Sequence, residues 1–258
     1  MAVDTRIEAA EPIFARHGAE WTPHAEAGGP FGGLHGGAVS GLVVAEMERE
    51  AAAQQLGQAM SASVLLIRPA PMATLETRSE LLRKGGRVGV IETSLIADGK
   101  LIAKGIASFA TAVAATATPA MAPRPAEPSR LPPWDWISRF QHKTLFDALD
   151  IRDDGNGTCW GRLRRPLAPF ATPFADIFTV ADCGTAFYLT GHGIKPRWSF
   201  PNLDLAVHVS RAPVGPWIGV RAQSDWRSDG RGLTQSVLFD EAGQLGSAAQ
   251  SVALIPQP

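Results

Sequence analysis

Val180-Ala181-Asp182-Cys183-Gly184 lies in the middle of a mostly apolar run, Ala175 to Leu189, that reads as a buried helix. An ionisable side chain in such a place is costly unless it is paired or put to use. Asp182 is therefore the residue around which the chain is read. Two other stretches are expected to fold back onto it, Pro201-Asn202-Leu203-Asp204 and Ala248-Ala249-Gln250-Ser251.

The first half of the chain carries a similar helix. A Gly/Pro-rich loop from Ala27 to Gly33 leads into His35-Gly36-Gly37, and then Ala38 to Leu56 holds Val39, Leu42, Val43 and Met47 at helical spacing. Its second half turns charged (Glu46, Glu48, Arg49, Glu50), which predicts an end that reaches solvent and places Glu46 and Glu48 on a solvated face. Ahead of the loop, Ile7, Ile13 and Phe14 mark a short amphipathic piece. Four strand-like runs follow the helix: Ala62–Arg68, Leu75–Arg83, Val88–Ala97 and Leu101–Thr111. Asp98-Gly99 between the last two is a hairpin signal, because its glycine takes the positive φ of a tight turn. One helix followed by an antiparallel meander implies a sheet packed over that helix, an α+β unit.

The pattern then repeats. Beyond an Ala/Pro-rich stretch at 112–134, read as an extended linker, come a strand at Gly157–Arg164, the helix around Asp182, and strands at Asp204–Arg211, Trp217–Trp226, Leu233–Asp240 and Leu245–Ile255. Arg68 and Arg211 each end a strand before a proline-containing turn, 143 positions apart. Gly86-Arg87 matches Gly230-Arg231, and Gly99 with Leu101 matches Gly243 with Leu245, at an offset of 144. The expected organisation is one unit over 1–115, a linker over 116–134 and a second unit over 135–258.

Composition narrows the function. A net charge of −1 gives no reason to expect nucleic acid or an anionic membrane as partner. The N-terminus has no apolar signal segment, and the uncharged run from Gly105 to Pro123 is too weakly apolar to span a membrane. Cys159 and Cys183 form neither a CxxC pair nor a disulfide framework, and read as small core residues in a reducing, cytoplasmic setting. His142, His192 and His208 lack metal-ligand spacing, so no metal is expected. The glycines at 32–37 lack the Lys-Ser/Thr ending of a phosphate loop, and no GxSxG elbow exists to make a serine hydrolase.

Polar residues present in only one copy single out the site. At these offsets Asp182 stands opposite Ala38, Gln250 opposite Ile106 and Asn202 opposite Ala59. Three polar residues replacing apolar ones in one copy are expected to satisfy one another or a shared water.

The chain resembles the acyl-CoA thioesterase II type, a double hotdog. The resemblance rests on His35-Gly36-Gly37, Leu66-Ile67-Arg68-Pro69, Gly86-Arg87 and Asp98-Gly99-Lys100-Leu101-Ile102-Ala103 in the first half. In the second half it rests on Ala181-Asp182, Asn202-Leu203-Asp204-Leu205-Ala206-Val207-His208, Arg211-Ala212-Pro213, Trp217, and Glu241-Ala242-Gly243-Gln244-Leu245 running to Gln250. It implies two fused hotdog units and hydrolysis of an acyl-CoA to free acid and CoA, in lipid metabolism, with CoA as part of the substrate and no cofactor. In that family an Asp, a Ser/Thr and a Gln hold the attacking water. Asp182 and Gln250 match the first and last, and Asn202 stands at the hydroxyl position, so Asn202→Thr is expected to preserve or raise activity.

A carboxylate serves as general base, amides orient the water, and first-turn N–H groups of a helix stabilise the oxyanion. His35, Gly36 and Gly37 either line the acyl or pantetheine tunnel or permit close helix–sheet packing. Arg231 either meets a CoA phosphate or is a plain surface arginine. The broad outer faces suggest a homodimer. Two alternatives stay open, an acyl-CoA-binding hotdog without hydrolysis and a hotdog hydratase or dehydratase. The latter requires an Asp and a His close together in one motif, and no such motif is present.

Overall fold

Alternation builds the sheet. In Val88–Ala97 the residues Gly89, Ile91, Thr93, Leu95 and Ala97 are buried and those between them are not, the signature of a strand with one face on a core. The computed structural model describes residues 11–116, 127–134 and 142–256. The first half runs β1 (Phe14–His17), β2 (Glu20–Pro23), α1 (Gly36–Gln54), β3 (Gln58–Leu66), β4 (Leu75–Lys84), β5 (Val88–Ala97) and β6 (Lys100–Ala110). The second runs α2 (Leu145–Ala148), β7 (Leu149–Asp153), β8 (Cys159–Leu163), α3 (Pro173–Ala181), α4 (Gly184–Gly191), β9 (Trp198–Ser199), β10 (Asp204–Val209), β11 (Ile218–Trp226), β12 (Arg231–Asp240), β13 (Gly243–Ala253) and β14 (Ile255–Pro256).

Twelve strands form one antiparallel sheet in the order β1-β2-β4-β5-β6-β3-β10-β13-β12-β11-β8-β7. The order reads outward from its centre as two equivalent halves, joined where β3 pairs with β10. At that seam Ser63 pairs with Ala206, 143 positions on, so the local symmetry axis passes between the two equivalents. The offset of 143 relates β3, β5 and β6 to β10, β12 and β13. The bulge between Leu95 and Ile96 recurs between Leu238 and Phe239. Arg68 donates to the Leu101 carbonyl, and Arg211 donates to the Gln244 carbonyl. The β5–β6 hairpin turns at Asp98 and Gly99, both at positive φ, as a type I′ turn requires.

These registers correct the 144 offset by one residue. Ile91 pairs with Ala107 where Thr234 pairs with Gln250, so the counterpart of Gln250 is Ala107, not Ile106. A slip of one residue in a strand moves a side chain to the other face. Ile106 points outward and is 44% exposed, whereas Ala107 and Gln250 both face the helices.

Helices α1 and α3, one from each half, run antiparallel against each other, and glycines make the contact possible. A methyl group on Gly37 would stand 2.6 Å from the Thr179 carbonyl oxygen. The run Ala175–Leu189 is not one helix: it breaks at Asp182-Cys183 into α3 and α4. Nor are Glu46 and Glu48 solvated. Glu46 is buried and takes hydrogen bonds from Arg49 and Thr77. Glu48 reaches across to the first turn of α3 and accepts from the backbone N–H of Phe174 (3.0 Å) and Ala175 (2.9 Å). These are orphan donors of a helix start, and an anion is favoured there. The two corrections have different causes: α3 covers Glu48, whereas Glu46 lies under the sheet beside Thr77 of β4.

Of the expected linker, 117–126 lies outside the described residues, as does Ile7. Within 127–134, Pro128–Arg130 forms a short 3-10 turn, Pro133 bridges Arg152, and Trp134 is buried with its ring 5.3 Å from that of Phe187. No helix among the described residues is long and apolar enough to cross a membrane.

Candidate active site

Asp182 occupies the break between α3 and α4 and is 5% exposed. Its N–H still closes a helical bond to the Phe178 carbonyl, but its own carbonyl is taken by side chains. Asn202 Nδ2 donates to that carbonyl at 3.1 Å and to Asp182 Oδ1 at 2.7 Å. The Gln250 amide nitrogen approaches the same carbonyl at 3.4 Å and Asn202 Oδ1 at 3.3 Å. The three residues singled out as polar in one copy thus meet directly.

Each is placed by ordinary backbone chemistry. Asn202 lies just before β10 and bridges Val252 on β13, with Leu203 N–H donating to the Ser251 carbonyl and Ala253 N–H to the Pro201 carbonyl. Gln250 is 2% exposed on the inward face of β13, between Ala248 and Val252. A buried amide needs partners, and β12 and α4 supply them. Gln250 Nε2 donates to Thr185 Oγ1 at 3.1 Å, Thr185 shares a proton with Thr234 at 2.8 Å, and Thr234 with Ser224 at 2.6 Å. The sequence reading missed Thr185. Its signal was spacing: on the single helix that the apolar run suggested, a residue three positions after Asp182 falls on the same face.

The first half contributes from the start of α1. His35 is the N-cap, its Nδ1 accepting the Gly37 N–H at 3.0 Å. The same Nδ1 lies 3.2 Å from Asp182 Oδ2. An Asp and a His therefore do stand together, though the expectation of one shared motif finds none: they come from opposite halves of the chain. Gly36 lets this happen, since a methyl group there would sit 2.9 Å from Asp182 Oδ2.

A cavity of about 480 Å³ opens beside these groups. His35, Gly36, Asp182, Thr185 and Asn202 line it, with an apolar wall that includes Leu34, Val39, Leu66, Phe146 and Phe200. Gly37 is not on its wall and packs against Thr179 and Asp182 instead. Arg231 is far from this arrangement in its contacts: it is exposed, ion-paired to Asp229, and does not line the cavity. Among the described residues no group of three or more His, Cys, Asp or Glu is arranged to hold a metal ion.

The sequence matches the family described as acyl-CoA thioesterase N-terminal domain over residues 25–122 and that described as acyl-CoA thioesterase C-terminal domain over 114–254. The chain belongs to the acyl-CoA thioesterase family. It is a thioester hydrolase of double-hotdog α+β architecture.

Solved structures share the fold of this acyl-CoA thioesterase. A proposed thioesterase from Novosphingobium aromaticivorans is 21% identical, with 96% of this chain and 100% of that one covered and a TM-score of 0.74. A protein of unknown function with a hot dog fold from Alicyclobacillus acidocaldarius is 15% identical over 98% of each chain, TM-score 0.71. An acyl-CoA thioesterase II from Mycobacterium marinum is 21% identical, covering 88% of this chain and 93% of that one, TM-score 0.64. No curated protein matches the sequence.

In this candidate site Cys183 adjoins Asp182, but burial, with the Asp182 charge adding to it, pushes its thiol well above the ordinary range. A thiol held protonated is a poor nucleophile. The chemistry available is that of a carboxylate, an amide, an imidazole and a hydroxyl facing an apolar pocket, with the Gln250 amide bonded to them but not lining the cavity.

Proposed function

We propose that this enzyme hydrolyses acyl-CoA by a water activated by Asp182 and oriented by Gln250 and Asn202. The observation that carries the reading is the 2.7 Å bond from Asn202 to Asp182 Oδ1 on the wall of the cavity. It holds the carboxylate in one orientation and leaves Oδ2 beside the space where a substrate carbonyl can lie. Asp182 takes a proton from water as the oxygen attacks the thioester carbon. The amides remove orientational freedom from that water before reaction. The N–H of Gly36, orphaned by helix geometry at the start of α1, borders the cavity and serves the tetrahedral oxyanion. Collapse expels CoA as thiolate. No step calls for a metal or a covalent acyl-enzyme.

The cavity volume and apolar wall suit an acyl group of modest size. The reading further takes the enzyme as a cytoplasmic homodimer acting in lipid metabolism. The test is release of free CoA across a series of acyl lengths by the parent and by Asp182→Asn. We expect kcat to fall by about 10²–10⁴ in the variant, the usual worth of a general base, with KM changed less. Retained hydrolysis would remove Asp182 from the role.

The His35–Asp182 contact favours one second reading, hydration of an enoyl thioester by an acid–base pair. Product mass separates the two: hydration adds water to an intact acyl-CoA, whereas hydrolysis releases CoA. The remaining alternative, binding without turnover, predicts neither product.

A further inference from the structure

His35 Nδ1 faces two groups that make opposite demands on it. The Gly37 N–H donates to it at 3.0 Å, which requires an unprotonated nitrogen with its hydrogen on Nε2. Asp182 Oδ2 lies 3.2 Å from the same nitrogen. Against an unprotonated Nδ1, an ionised Oδ2 is lone pair against lone pair. A protonated Oδ2 is instead a hydrogen-bond donor there. The other carboxylate oxygen, held by Asn202 at 2.7 Å, favours the charge. One side of Asp182 is thus built for its ionised form and the other for its protonated form.

We propose that His35 is the proton partner of Asp182. This rests on the reading of Asp182 as the base. When water is deprotonated, its O–H bond breaks and its oxygen bonds the thioester carbon. The proton passes to Asp182 Oδ2, which donates it in a hydrogen bond to His35 Nδ1. When the C–S bond breaks, its electron pair leaves with sulfur, and the proton goes from Asp182 to the thiolate. Charge and atoms balance: acyl-CoA and water become acid and thiol. His35 acts through Asp182 and is a positioning residue, holding the proton in place between the two steps.

The surroundings isolate this pair. Besides His35 and Asp182, the titratable side chains lining the cavity are Cys183, at the α3–α4 junction, and Arg68, after β3. Burial keeps Cys183 protonated, and Arg68 donates to the Leu101 carbonyl at 2.6 Å. From the other elements the pair meets the neutral amides of Asn202 and Gln250 and the ring of Phe146, 5.3 Å from that of His35.

Two measurements test the proposal. The first needs no substrate: ¹⁵N NMR of the His35 ring in the full chain, followed against pH, in the parent and in Asp182→Asn. We expect the unprotonated signature at Nδ1 near neutral pH, and a midpoint that moves by about half a unit or more in the variant. A protonated Nδ1, or superposable titrations, overturns the proposal. The second uses His35→Asn, which keeps a helix-capping acceptor for Gly37 but does not titrate. We expect kcat to fall roughly tenfold to a hundredfold, short of the loss of the base itself, with the acid limb of the kcat–pH profile displaced. If His35 only caps the helix, rate and profile stay those of the parent, and the proposal fails. Should Asp182→Asn hydrolyse normally, the base reading falls by that assay, while the NMR titration judges the proton pair independently.

Discussion

Gly36 lies so close to Asp182 that a methyl group on it would stand 2.9 Å from Oδ2 and 3.1 Å from Oδ1. Each copy of the repeat needs its helix, but only one pairing of a glycine with a carboxylate makes the site. In a helix, Gly to Ala ordinarily adds up to about 1 kcal/mol of stability. Here the added carbon must push the carboxylate away from its Asn202 and His35 partners. Gly36→Ala is expected to lower kcat by tenfold or more while leaving the melting temperature unchanged or slightly raised. Thermal unfolding and initial rates on the same preparation decide it. A variant as fast as the parent shows that Asp182 can move without loss.

Asn202 spends both amide hydrogens on Asp182, one on the carboxylate and one on the carbonyl, and offers its oxygen to Gln250. A threonine hydroxyl has one proton to donate. The family comparison alone favours Asn202→Thr as neutral or better. The geometry reverses that expectation: the variant leaves an Asp182 contact unmade and should lose several-fold in kcat, with kcat/KM following. Activity at or above that of the parent would restore the earlier view.

Gln250 joins the site to the hydroxyls of Thr185 and Thr234. Gln250→Ala mimics Ala107, its counterpart in the other half. It strands buried groups at a cost of about 1–3 kcal/mol. For a chain of this size the melting temperature should drop by several degrees, and kcat should fall less than in Asp182→Asn. Unfolding curves that match the parent would mean that water replaces the lost amide in full.

Stability should fall as pH rises through neutrality. Burial at the α1–α3 contact pushes Glu48 from 4.5 up to about 8, against the two N–H bonds that favour its charge, and burial pushes Asp176 from 3.8 up to about 7. A folded state that holds a proton more tightly than the unfolded chain gains stability below the unfolded value. That gain is fully present below about 4 and is lost progressively up to about 8. Glu48→Gln should flatten the upper part of this dependence, so its melting temperature relative to the parent rises between pH 6 and pH 9. A parallel pair of curves would show that Glu48 is ionised throughout at no cost.

Much of this molecule is local and could be read along the chain. Period-two burial in β5, the Asp98-Gly99 turn and the recurrence of helix and strands in one order follow from residue type and spacing. So did the meeting of Asp182, Asn202 and Gln250, because polar residues in apolar places need partners and these three were present in one copy only. What spacing could not decide was register and cover. An offset wrong by one residue placed Gln250 opposite outward-facing Ile106, since glycines in turns align less strictly than ladder partners. Glu46 and Glu48 looked solvated because nothing in their own helix shows that β4 lies over the first and α3 over the second. His35 and Asp182 are far apart along the chain and meet only because the two halves bury their helices against each other, glycine against carbonyl, under one sheet. That contact is set by the packing of whole elements, which no stretch of sequence carries by itself.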